Sequence, residues 1–382
     1  MRFTPALLLC LTACASAAKT EAQPSTSKAT ALPNPERILF WTPEEQKVGY
    51  QSVERLGPTR TVAAAETASE LPAGDPLPSI QYTVDGKTFD TDGFVAHNHV
   101  VGLLVIKDGR VVLERYEGGN DANTRWISFS VTKSIVSLLI GAAVKDGKIG
   151  SVNDPVTKYL PNLAGSAYDG VTVENVLQMA SGVEWNEDYA DPESDIGKTA
   201  RFTAPEHLAY LASKPRAAEP GTKFNYNTGE THLVGAMLRS AIGGDLAPYL
   251  SEKIWKPFGM QRDAVWPLLE KDGAEHGGCC LAATLRDYGR VGMFTLASGD
   301  ALPADWMKQS TTPSKGYPGY GYLWWLKDGT YAAAGIFGQS IWVSPQDGLV
   351  IASHSMWPKA VGKEFTGHRA AFFGAVAAAL RK

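Results

Sequence analysis

The sequence predicts an α+β fold, an antiparallel sheet flanked by N- and C-terminal helices with a helical domain inserted between its strands. Three observations carry this. In "VVGLLVIKDGRVVLERYE", from Val100, two β-rich runs surround Lys107-Asp108-Gly109, a hairpin signature. From about Val152 to Ser298, helix-like segments are separated by Pro and Gly. Strand composition then returns in "YGYLWWL", "AAAGIFGQSIWVS" and "LVIASHS" before an Ala-rich helix from about Glu364 to Leu380.

In chain order, residues 1–17 have the features of an export signal: Arg2, a short apolar stretch from Ala6 to Leu11, then small residues. Leu11-Thr12-Ala13-Cys14 resembles the bacterial lipobox, in which the cysteine is lipidated, and Ala15-Ser16-Ala17 offers an ordinary cleavage site instead. Residues 18–40, rich in Ser, Thr, Ala and Pro, lack apolar periodicity and read as a tether. The expected location is the periplasm or cell envelope, with membrane attachment where Cys14 is lipidated. The sheet domain takes residues 41–151 and 299–382, and the helical domain 152–298.

A chain of 382 residues with 44% hydrophobic content can bury a substantial core. Its net charge of −4 and lack of a basic stripe argue against a nucleic-acid partner. Of four cysteines, Cys10 and Cys14 fall in the signal; Cys279 and Cys280 are adjacent. Neighbouring cysteines rarely bond, so no structural crosslink is expected and the pair reads as small buried hydrophobes. The seven histidines show no metal-binding spacing, and His232 reads as an ordinary helix residue.

The chemistry begins in "RWISFSVTKSIVSLLIGAAV". Residues three apart on a helix share a face, so Ser130 Oγ and Lys133 Nζ meet if the helix starts at or just before Ser130. A neutral amine activates a serine hydroxyl, and both burial and the positive end of the helix dipole disfavour the ammonium. On its own the pattern is weak: roughly one Ser-x-x-Lys arises by chance in such a chain, and Ser25 to Lys28 is another. The plain alternative is a serine cap with a solvated lysine. Two distant stretches add support. "EPGTKFNYNTGETHLVG" puts Tyr226 in a loop before a helix, where a phenol can relay protons. "AAGIFGQSIWVS" carries Gly335 and Gly338 inside an expected strand, a mark of close backbone approach to a ligand.

Taken in order, these motifs resemble the serine β-lactamase and penicillin-binding protein superfamily, in its class C branch with its esterases and amidases. Ser130-Val131-Thr132-Lys133, "NDPVTKYLP", "VTVENVLQMASG", Pro220-Gly221 to Tyr226, "TLRDYGRVG" and Gly335 to Gln339 carry the resemblance from about Val100 to Ser355. "WNEDYADPESD", "GQSIWVSPQ" and "EEQKVGYQSVERLGPTR" look most like the 6-aminohexanoate-dimer hydrolase type, which cleaves short amides and simple esters. The resemblance implies a β-lactamase/transpeptidase-like fold, with Ser130 as nucleophile, Lys133 as general base and Tyr226 as proton shuttle. The N–H groups of Ser130 and Gln339 would form the oxyanion hole. It also implies substrate contacts from Tyr189, Asn227, Thr228 and Gly338, and neither metal nor organic cofactor.

Two departures bear on substrate. Ile336 stands where the third motif usually has a lysine for the substrate carboxylate, so efficient β-lactam turnover is not expected. Tyr226-Asn227-Thr228 replaces Tyr-x-Asn, exchanging an amide for a hydroxyl unless Asn227 substitutes. No Gly-x-Ser-x-Gly elbow occurs. The expected function is therefore an exported serine hydrolase of small esters or amides. The rival readings are a β-lactamase or penicillin-recognising D-peptidase, and a catalytically silent envelope-binding lipoprotein. Trp324, Trp325 and Trp342 read as core residues, one or two of them free to line an acyl pocket.

Overall fold

The computed structural model describes Met1 and residues 31–381. The signal and the lipidation call at Cys14 lie outside the described residues. Residues Leu32–Lys382 form one compact unit.

Six antiparallel strands make the main sheet, in the order Arg110–Tyr116, Val100–Lys107, Leu349–Ser355, Ser340–Ser344, Thr330–Ala334, Trp325–Lys327. As expected, strands from both ends of the chain complete one sheet. The central pair, Val100–Lys107 and Leu349–Ser355, is buried along almost its whole length. That requires cover on both faces, which explains why these segments read as continuous apolar runs without alternation. Leu103, Val105 and Ile351 meet Phe372 and Val376 of the C-terminal helix Lys363–Leu380. Leu104, Ile106, Ile341 and Val350 face the opposite side, with Val291 and Phe294 of helix Leu285–Ala297.

A second, four-stranded sheet was not foreseen: Thr59–Val62, Ala264–Pro267, Ala282–Thr284, Arg125–Ile127. Its last pair sets Arg125 opposite Thr284 and Ile127 opposite Ala282. The chain leaving Ile127 toward Ser130 therefore runs past the chain arriving at Ala282 from Gly278. This register delivers two distant segments to one place.

Helix Val131–Lys145 starts there, with Ser130 at its N-cap. All its residues from Val131 to Ala143 are buried. Each fully buried Val, Leu or Ile contributes roughly 1.5–3 kcal/mol, so Ile135, Val136, Leu138, Leu139 and Ile140 readily offset the cost of taking one lysine inside. The helix packs against Thr228–Ile242. No helix among the described residues is long and apolar enough to cross a membrane.

Three expectations are corrected. Gly335 and Gly338 lie not inside a strand but in the turn joining Thr330–Ala334 to Ser340–Ser344. At φ 97°, Gly338 has a left-handed backbone in which any Cβ would strike Trp357. Of "YGYLWWL", only Trp325 and Leu326 are strand, at the start of Trp325–Lys327. Cys279 and Cys280 are joined in a disulfide; the expectation of no crosslink weighed ring strain alone and ignored how firmly this segment is held on both sides.

Candidate active site

The nucleophile loop is stitched before any chemistry is considered. Ser128 N donates to Leu281 O at 2.9 Å, and Leu281 N donates to Thr132 Oγ1 at 3.0 Å. Ser128 and Thr132 hydroxyls meet at 2.7 Å. Phe129, at φ 46°, takes a left-handed conformation uncommon for a side-chain-bearing residue, and it turns the short strand into the helix. Ser130 occupies the N-cap position, yet its hydroxyl makes no capping bond.

That hydroxyl instead accepts from Lys133 Nζ at 2.9 Å. The amine also donates to Gly278 O at 2.8 Å and sits 5.2 Å from the centroid of the Tyr226 ring. Lys133 is 1% exposed, against the solvated lysine of the plain alternative. Both hydrogen-bond partners are neutral oxygens. Burial lowers its pKa from 10.5 to about 8, with the Glu187 carboxylate acting in the opposite sense. Roughly a tenth of the amine is therefore uncharged at pH 7, rising to about half at pH 8.

Tyr226 is positioned by its neighbours in the chain. Asn225 N donates to Met179 O at 2.8 Å, Asn225 Nδ2 to Trp185 O at 3.1 Å, and Asn227 Oδ1 caps the following helix by accepting from Glu230 N at 2.9 Å. Trp325 stacks on the phenol ring, centroids 5.6 Å apart. Burial, then Glu187, raise the phenol pKa well above its ordinary value, with Ser130 acting in the opposite sense. The phenol stays protonated over the working range.

The sequence reading missed Glu187. Its carboxylate accepts from Tyr189 Oη at 2.7 Å and Thr228 N at 2.9 Å, and also from Trp185 Nε1 and Thr228 Oγ1. Those four bonds bring Tyr189 and Thr228, both named from sequence, into one network. Asn227 is 1% exposed, its side-chain oxygen committed to the cap. Gln339 is also 1% exposed, and its side chain binds Trp126, Phe337 and Ser355. Of the three tryptophans, only Trp325 reaches the site; Trp324 is core and Trp342 packs on Phe373.

His232, on helix Thr228–Ile242, lies between His207, tilted against it, and His276, edge-on to it, and burial keeps it neutral. Among the described residues no cluster of His, Cys, Asp or Glu is arranged to hold a metal ion.

A serine at a helix head, bonded to a buried lysine beneath a tyrosine, beside a mixed sheet and helical layer, defines a class of hydrolase. The chain belongs to the Beta-lactamase family, whose model matches residues 91–372, and it is a hydrolase of the serine β-lactamase and penicillin-binding protein superfamily. The 6-aminohexanoate-dimer hydrolase of Paenarthrobacter ureafaciens is 28% identical over 286 residues, which is 67% of this chain and 72% of that protein. A Salmonella typhimurium protein described as "Putative D-alanyl-D-alanine carboxypeptidase" is 26% identical over 191 residues, 44% of each chain. A solved structure described as "Putative 6-aminohexanoate-dimer hydrolase from Bacillus anthracis" matches in fold, with TM-score 0.78 at 20% identity, over 88% of this chain and 95% of that one.

Proposed function

We propose that the protein is an exported serine hydrolase of small esters or amides, acting through an acyl-enzyme on Ser130. The reading is carried by the 2.9 Å bond between Lys133 Nζ and Ser130 Oγ with the lysine 1% exposed. Neutral Lys133 takes the hydroxyl proton as Oγ attacks the substrate carbonyl. The oxyanion is received by Ser130 N–H and a second N–H from the turn Gly335–Gln339. Gln339 N–H remains the assignment tested first. Tyr226 passes a proton to the departing alcohol or amine and recovers one from Lys133, which leaves the amine neutral for the second half. Water then attacks the ester on Ser130 with the same base and relay, releasing the acid and the free serine.

Tyr189 and Thr228, tied to Glu187, shape the substrate side of the cleft. Ile336 provides no cation for a substrate carboxylate, which favours esters and linear amides over β-lactams and D-peptides. Attachment to the envelope through Cys14 belongs to the same proposal. Ser130→Ala should abolish hydrolysis of short-chain nitrophenyl esters and the acylated mass of the intact protein, with the thermal transition preserved. Undiminished turnover in that variant would contradict the assignment.

A further inference from the structure

The segment that supplies the second partner of Lys133 carries chemistry of its own. Gly278 O accepts from Lys133 Nζ at 2.8 Å, and the next two residues are the joined Cys279 and Cys280. The two are half-buried and, together with Tyr189, Ile336 and Met356, pack against a cluster that includes Phe129 and Phe337. They therefore stand among residues of both the nucleophile loop and the glycine turn.

The ends of this segment are pinned. Upstream, Trp266 Nε1 donates to His276 O at 2.9 Å and Cys279 O at 3.2 Å. Gly277 and Gly278 lie so close to Thr231 that a Cβ at either would come within 2.2 or 2.3 Å of its oxygens. Downstream, Leu281 N binds Thr132 Oγ1 and Leu281 O accepts from Tyr288 Oη, at 3.0 and 2.9 Å. Between these pins the cysteine side chains add a second link to the peptide bond that joins the two residues.

Resting on the hydrolase reading above, we propose that the Cys279–Cys280 disulfide is a positioning element for the catalytic base, holding the Gly278 carbonyl under Lys133 and closing that side of its pocket. Reduction then loosens the wall. A dithiol opens it in balanced fashion: one reagent thiolate attacks a cysteine sulfur and breaks the Sγ–Sγ bond, and the second displaces that cysteine. The reagent leaves as a cyclic disulfide, and two protons reside on the cysteine thiols.

Two consequences act in the same direction on Lys133. Water entering the pocket relieves the burial that depresses its pKa. Thiols, with an ordinary pKa near 8.5, also add negative charge to the segment that carries the Gly278 carbonyl as pH rises. The other titratable groups facing this pocket do not change with reduction. Glu187 and Tyr189 come from the cleft loop, Tyr226 from the tyrosine loop, His232 from helix Thr228–Ile242 and His276 from the segment itself. Burial keeps both histidines neutral, and both phenols stay protonated.

The test uses the full-length protein purified without reductant. Peptide mapping after iodoacetamide should find Cys279 and Cys280 unlabelled before dithiothreitol and both labelled after it. Ester hydrolysis by the reduced protein should show its rising pH limb displaced alkaline by about one unit, a roughly tenfold loss at pH 7. The C279S/C280S variant should show the geometric part of that displacement and ignore dithiothreitol. Cysteines alkylated before reduction, or a limb unmoved after complete reduction, would overturn the proposal while leaving Ser130 acylation intact. A native protein that never acylates Ser130 removes the hydrolase reading, and this one with it.

Discussion

Lys133 and Glu187 show how one amine can be both buried and useful. Burial is the larger influence on Lys133 and the Glu187 carboxylate the opposing one. Removing that carboxylate disfavours the ammonium, so Glu187→Gln should move the rising limb of the pH–rate profile to lower pH. A limb that moves up or stays would show that Glu187 acts only by holding Tyr189 and Thr228. The buried charge also has a stability cost. With the folded pKa near 8 and the ordinary value at 10.5, the penalty is complete below pH 8 and vanishes above about 10.5. Lys133→Met should therefore raise stability at pH 7 by up to roughly 3 kcal/mol, with the gain shrinking as pH passes 10; denaturant midpoints at the two pH values measure it. Ser130, Lys133 and Tyr226 were legible because their spacing and loop context carry chemistry. Glu187 was not, as one acid among Glu184, Asp188, Asp191 and Glu193. Nor was Gly278, whose contribution is a backbone oxygen that leaves no trace in residue type.

At the scale of elements, the helix carrying Ser130 and the C-terminal helix were readable from continuous apolar or Ala-rich runs. The strand Arg125–Ile127 was not, since three residues give no alternation to detect. Its pairing with Ala282–Thr284 is nonetheless what sets Gly278 beside Lys133. The glycine turn was placed in a strand because flanking β-rich sequence outweighed Gly335 and Gly338 in the reading. Tight approach of the segment His276–Leu281 to helix Thr228–Ile242 makes a further expectation. In Gly277→Ala the new Cβ would lie 2.2 Å from Thr231 O, a backbone atom that cannot step aside. Overpacking of this kind costs about 1–3 kcal/mol, and the displaced Gly278 carbonyl should lower kcat more than it raises KM. Wild-type kcat in this variant would remove the segment from the account.

Across the whole molecule, an ion network centred on one buried carboxylate joins distant parts of the chain to the site. Glu275, its side chain fully buried, pairs with Arg60 at 2.7 Å and Arg239 at 2.9 Å and accepts from Ala247 N at 3.0 Å. Strand Thr59–Val62, helix Thr228–Ile242 and the segment leading to Gly277 are tied through one carboxylate. Glu275→Leu leaves Ala247 N–H without its acceptor, while Arg60 and Arg239, both partly exposed, keep Asp245 as a partner, so the expected loss is about 1–3 kcal/mol; urea unfolding should report it, and a change below about 1 kcal/mol would mean the network is worth no more than a surface pair. The order of strand, helix and strand regions was legible in the composition of the chain. How the small second sheet threads through it was not, because its strands are short and come from three separate regions.

The proposed chemistry at Ser130 turns on the charge of a single amine. NMR titration of the protein with 13Cε-labelled lysine, the signal assigned by its loss in Lys133→Met, measures that charge without reference to any substrate. A midpoint near 8 for Lys133 is the predicted result. A midpoint at the ordinary lysine value of 10.5 would mean the amine is protonated whenever the enzyme works, and would contradict its role as the base for Ser130.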